Sequence, residues 1–89
     1  MAVILCLHGL GGTGRTMQPL VHGLTALGHT VHAPTLPGHG TSPDALHGVT
    51  WHDWVEAAQQ ALADTGATVV VGQSMGGDLA FALAARRLC

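Results

Sequence analysis

The chain has 89 residues, of which 47% are hydrophobic and 9% charged, and its net charge is −2 with histidines neutral. Its basic side chains are Arg15, Arg86 and Arg87, too few to neutralise a phosphate backbone, so nucleic acid is not an expected partner. No apolar run approaches the ~20 residues of a membrane span, and Cys6 and Cys89 have no metal-ligand spacing, so neither a span nor a metal is expected and a cytoplasmic location is the default.

The elements follow from periodicity. Ala2 to Leu7 is a continuous apolar run ended by His8-Gly9 and predicts a buried strand, with Cys6 as a small buried hydrophobe. Met17, Leu20, Val21, Leu24 and Leu27 share one helix face, and Gly28 closes that helix as its C′ residue. His29 to Ala33 predicts a second strand. Pro34 to Gly48, with three prolines and three glycines, predicts a loop. Thr50 and Asp53 have the spacing of a capping box, and Trp54, Val55, Ala58 and Leu62 form the apolar face of the helix that follows. Thr65-Gly66 ends it. Ala67 to Val71 is a third strand, and a last helix runs from near Met75 through Arg86, Arg87 and Leu88.

Strands alternating with helices predict an α/β fold in three layers, a parallel sheet with crossover helices. The three strands lack polar alternation, which predicts cover on both faces. A core this short is marginal on its own and suits part of a larger protein, so the chain is expected to be one amino-terminal portion, residues 1–89, of a single domain.

Three glycine-bearing segments carry the chemistry. Gly72-Gln73-Ser74-Met75-Gly76 matches G-x-S-x-G, directly after the third strand and before the last helix. A turn that sharp leaves no room for side chains two residues before and after the serine. It holds the serine strained at the strand tip with its hydroxyl exposed, and Gly77 is expected to add room for close helix packing. The helix N-terminus adds positive dipole beside Ser74. The competing reading is a tight turn with an incidental serine.

His8-Gly9-Leu10-Gly11-Gly12 ends the first strand. It is placed to supply backbone N–H groups to an oxyanion, the expected pair being those of Leu10 and Met75. Gly9, Gly11 and Gly12 let this loop fold back over the sheet edge. His8 is expected to anchor the loop by hydrogen bonds rather than act as a base. The third segment, Leu36 to Ser42, is a turn-rich loop that His39 is expected to brace.

In this order and spacing the three segments resemble the α/β-hydrolase superfamily. With Trp51-His52-Asp53-Trp54 they look like its bacterial carboxylesterase and monoacylglycerol lipase group. The resemblance covers nearly the whole chain and implies strands ordered second–first–third, with Leu10 and Ser74 at neighbouring carboxyl ends. It implies a serine hydrolase acting on small carboxylic esters through an acyl-enzyme on Ser74, without a cofactor. It also implies an incomplete core, because the family's triad runs Ser, then Asp or Glu, then His. After Ser74 the chain offers only Asp78 and no histidine; His8, His22, His29, His32, His39, His47 and His52 all precede it. The isolated chain is therefore expected to be nearly inactive.

Two alternatives come from other classes. Gly9-Leu10-Gly11-Gly12-Thr13-Gly14 matches the dinucleotide fingerprint G-x-G-x-x-G, but the second strand ends in His32-Ala33-Pro34, where the fingerprint wants an acid for the ribose. A non-catalytic interaction fragment, with uncovered sheet edges prone to self-association, is the other. The histidines do not suggest a metal: His29 and His32 fall on opposite faces by strand alternation.

Overall fold

In the computed structural model, which describes residues 1–88, the first apolar run forms strand β1 (Val3–Leu7) at the centre of a three-stranded sheet. Strand β2 (Thr30–His32) flanks it on one side and β3 (Val69–Gly72) on the other, both parallel to it. Ile4 is in register with Val31 and Val69, and Leu7 with Gly72. Helix α1 (Gln18–Ala26) joins β1 to β2, α2 (Trp51–Thr65) joins β2 to β3, and α3 (Met75–Leu88) follows β3. The expected strand order, β2–β1–β3, is the one observed.

Alternation along β1 makes the three layers. Ile4 and Cys6 point to one face, where they meet Met17 and are packed by Val21 and Leu24 of α1. Leu5 and Leu7 point to the other and join Val55, Ala58 and Leu62 of α2 and Leu79 and Leu83 of α3. Leu5, Leu7 and Leu79 are fully buried; truncating such a leucine to alanine costs about 2–5 kcal/mol. Burial pushes the Cys6 thiol pKa up, in keeping with a packing role.

Local signals fix the helix ends. Gly28, at φ +94°, closes α1 as a Schellman motif: its N–H donates to Thr25 O and that of His29 to Leu24 O. Thr50 and Asp53 form both bonds of the capping box, Asp53 N–H to Thr50 Oγ1 at 3.2 Å and Thr50 N–H to Asp53 Oδ2 at 2.9 Å. Gly66 ends α2 at φ +67°.

Four expectations need correction. Cover on both faces holds for β1 only: among the described residues β2 and β3 are edge strands, so Thr30 and His32 are exposed and Val69 is 42% exposed. Met17 belongs to a one-turn 3₁₀ segment (Gly14–Met17) that leads into α1, while Leu20 and Leu27 of the expected apolar face are exposed. A second 3₁₀ turn (Pro43–Leu46) interrupts the long loop. His29 precedes β2, and its Nδ1 accepts the Ala2 N–H. Cys89 lies outside the described residues.

Candidate active site

The site is built where β1 and β3 end side by side. Ser74 lies two residues past the end of β3, is exposed, and has φ +55°, the one positive value among the described non-glycine residues. That conformation costs on the order of 1–3 kcal/mol and persists only where the surroundings impose it. Here they do. Gln73 N–H donates to Leu7 O at 3.0 Å, tying the turn to β1. Gln73 O accepts from Gly76 N–H, and Ser74 O from the N–H groups of Gly77 and Asp78, so α3 starts on the turn itself.

The flanking glycines are required by contact. A Cβ on Gly72 would fall on the Gly76 carbonyl, and one on Gly76 would fall on the Leu7 carbonyl and lie 2.8 Å from His8 O. Gly77 is different: its added Cβ would meet Gly72 O at 3.4 Å, an ordinary contact, so the room expected of it is not needed. Asp78 is exposed in the first turn of α3, on the helix surface as expected.

The loop after β1 abuts this turn. A Cβ on Gly9 would lie 3.2 Å from Gln73 O and 3.3 Å from Ser74 Cβ. Gly9 to Gly12 form a β-turn closed by Gly12 N–H to Gly9 O at 3.0 Å, with Gly11 at φ +80° in the position that demands a left-handed residue. Among the described residues neither the Leu10 nor the Met75 N–H donates to another backbone group. Met75 opens α3, so its N–H is one of the unsatisfied donors at the positive end of that helix. A Cβ on Gly14 would strike the Ala33 carbonyl, so packing against the end of β2 accounts for the last glycine of the G-x-G-x-x-G match.

His8 ties the loops together. It is 0% exposed. Its Nε2 accepts the Leu36 N–H at 2.9 Å, which leaves the proton on Nδ1, 2.8 Å from Gly9 O. Burial pushes the His8 pKa below its ordinary value and the neighbouring His39 adds to this, against the upward pull of the Gly9 hydrogen bond. Leu36 to His39 form a second β-turn, with Pro37 and Gly38 (φ +79°) at its centre and His39 N–H bonded to Leu36 O. The His39 ring packs edge-on to His8, centroids 4.7 Å apart, and its Nδ1 lies 3.1 Å from Pro37 O. The anchoring and bracing roles expected of the two histidines are therefore observed. Trp54, expected only on an apolar face, also donates its Nε1–H to Pro37 O at 2.9 Å.

A parallel sheet with helices packed on both faces of its central strand, and a positive-φ serine between a strand and the helix that packs back on it, is the architecture of an α/β-hydrolase fold. The sequence profile of that family, described as alpha/beta hydrolase fold, matches residues 2–87, and the chain belongs to it. The thermostable monoacylglycerol lipase of Bacillus sp. (strain H-257) is 39% identical over 85 residues, 91% of this chain and 34% of that protein. Lipase LipV of Mycobacterium tuberculosis is 41% identical over 90 residues, 97% of this chain and 33% of that protein. A solved structure of the metagenome-derived lipolytic enzymes LipS and LipT superposes with a TM-score of 0.74 at 35% identity, over 88% of this chain and 34% of that one. The chain thus spans about a third of the length of the curated relatives it matches.

Proposed function

We propose that this chain carries the nucleophile and the oxyanion donors of a serine hydrolase that cleaves carboxylic esters. The observation that carries the reading is the backbone of Ser74: a strained, exposed serine at a strand tip, between glycines whose side chains the fold excludes. Such strain is kept where a hydroxyl must be presented to a ligand. The lipase names of the relatives support an ester as the substrate class.

In this mechanism Ser74 Oγ bonds to the ester carbonyl carbon, and the negative charge that develops on the carbonyl oxygen is held by the Leu10 and Met75 N–H groups. The carbon–oxygen bond to the alcohol then breaks, the alcohol leaves with the proton that Ser74 gave up, and water hydrolyses the acyl-enzyme. Neither histidine of the loop cluster serves as the base: both His8 nitrogens are held in hydrogen bonds, and His39 Nε2 is buried against its neighbours. In this proposal the base and its orienting acid are supplied by residues other than those of this chain. The test is hydrolysis of short p-nitrophenyl esters by the complete hydrolase carrying this segment. Turnover that vanishes in Ser74→Ala is expected; turnover that survives it refutes the proposal.

For the chain by itself, a second reading has its own support. Among the described residues both outer strands have a free edge, and Val69 of β3 is exposed. Self-association through such edges predicts a sedimentation coefficient that rises with concentration; a constant one argues against it.

A further inference from the structure

We infer that His8 is a positioning residue for the reaction: its Nδ1–H sets the orientation of the Gly9–Leu10 peptide and so aims the Leu10 N–H at the oxyanion. The inference rests on the oxyanion role proposed above for Leu10.

Gly9 O and Leu10 N–H belong to one peptide unit. In a planar trans peptide they point in opposite directions, so whatever fixes the carbonyl also fixes the N–H. Gly9 O takes two hydrogen bonds, from His8 Nδ1–H at 2.8 Å and from Gly12 N–H at 3.0 Å. The two are not equivalent. Gly12 is part of the same glycine-rich turn and moves with it. The His8 ring is fully buried at the end of β1 and is held from the far side by the Leu36 N–H. Among the described residues, the His8 bond is therefore the one that ties this carbonyl to the end of β1 rather than to its own turn.

The tautomer is fixed by the second contact. Because Leu36 N–H is a donor, His8 Nε2 must be the acceptor, and the single proton of the neutral ring lies on Nδ1. The Leu36 turn is in turn held by Trp54 Nε1–H on Pro37 O and by the His39 ring. A hydrogen-bonded path thus runs from α2, through the loop after β2, to the peptide beside Ser74.

The two ring nitrogens can be tested separately in the complete hydrolase. Asparagine places a donor near the Nδ1 position and glutamine an acceptor near Nε2. His8→Asn should lose thermal stability, because Leu36 N–H is left without a partner, yet keep its kcat near that of the wild type. His8→Gln should keep the Leu36 contact and lose kcat with KM little changed, by up to about the hundred- to thousandfold that removal of an oxyanion donor costs. Equal kcat in the two variants, whether both high or both low, overturns the inference. Fluorophosphonate labelling of Ser74 in the wild type reports separately on the parent reading.

Should either variant fail to fold, ¹⁵N resonances of the wild-type His8 ring decide together with the Leu10 amide. Nδ1–H, with a Leu10 amide proton that moves downfield on phosphonylation of Ser74, supports the inference. An Nε2–H tautomer overturns it alone. A Leu10 amide that does not respond overturns the oxyanion reading and the inference with it.

Discussion

Gly76 and Gly77 are adjacent in the same helix turn, and the structure assigns them opposite responses to alanine. A Cβ on Gly76 would fall on the Leu7 carbonyl and lie 2.8 Å from His8 O. Both are backbone atoms at the end of the central strand, so they cannot step aside as a flexible side chain could. Restoring the ~3.5 Å separation of non-bonded atoms would move the start of α3 by about 1 Å or more. Overpacking of this kind costs about 1–3 kcal/mol and occasionally more. A misplacement of about 1 Å at reacting groups also costs on the order of a hundredfold in rate. A Cβ on Gly77 meets only Gly72 O at 3.4 Å. Gly77→Ala should therefore gain the helix-interior advantage of alanine over glycine, about 0.5–1 kcal/mol. Urea denaturation of the two variants beside the wild type measures both signs. Gly76→Ala as stable as the wild type, or Gly77→Ala as damaging as Gly76→Ala, would refute the packing argument.

Ser74→Gly should raise stability by about 1 kcal/mol, since glycine adopts φ +55° freely, while eliminating ester hydrolysis; a less stable variant would show that Ser74 is not strained. Thr50→Ala should cost about 1 kcal/mol, read by thermal denaturation, because the Asp53 N–H loses its Thr50 Oγ1 acceptor at the start of α2, while the bond from the backbone N–H of residue 50 to Asp53 Oδ2 is kept; no loss would mean that the cap is idle. His8 makes stability depend on pH. Its folded pKa lies below the ordinary value of 6.5, so the unfolded chain binds a proton that the fold refuses. The His8 contribution is therefore full above about pH 6.5 and falls as the pH drops from there toward its lowered folded value. The difference in stability between wild type and His8→Asn should shrink over that window, and a difference that is flat with pH would contradict the assignment.

Much of this was legible in the residues because the signals are local. The Thr50–Asp53 spacing, the closing glycines 28 and 66, and the placement of G-x-S-x-G between an apolar run and a helical period each fix structure within a few positions. What was not legible joins distant positions. Leu36 N–H meets His8 across 28 residues, and Trp54 Nε1 meets Pro37 across 17, contacts for which no period or motif exists. The same holds for cover. Thr30-Val31-His32 is in fact a polar–apolar–polar edge strand, but reading it with its apolar neighbour Ala33 hid the alternation. Gly77 misled for a related reason: a glycine beside the obligatory Gly76 looks obligatory, and only its distance from Gly72 O separates it. The tautomer of His8 likewise follows from a backbone donor that only the fold supplies.

The central claim is that Ser74 is the nucleophile, and it can be tested against an internal control because the chain has one other serine, Ser42. The complete hydrolase carrying this segment would be treated with a fluorophosphonate and the adduct located by tandem mass spectrometry. A single adduct on Ser74, absent after prior treatment with a competing ester, is the predicted result. An adduct on Ser42, or at another site with Ser74 unmodified, would contradict it.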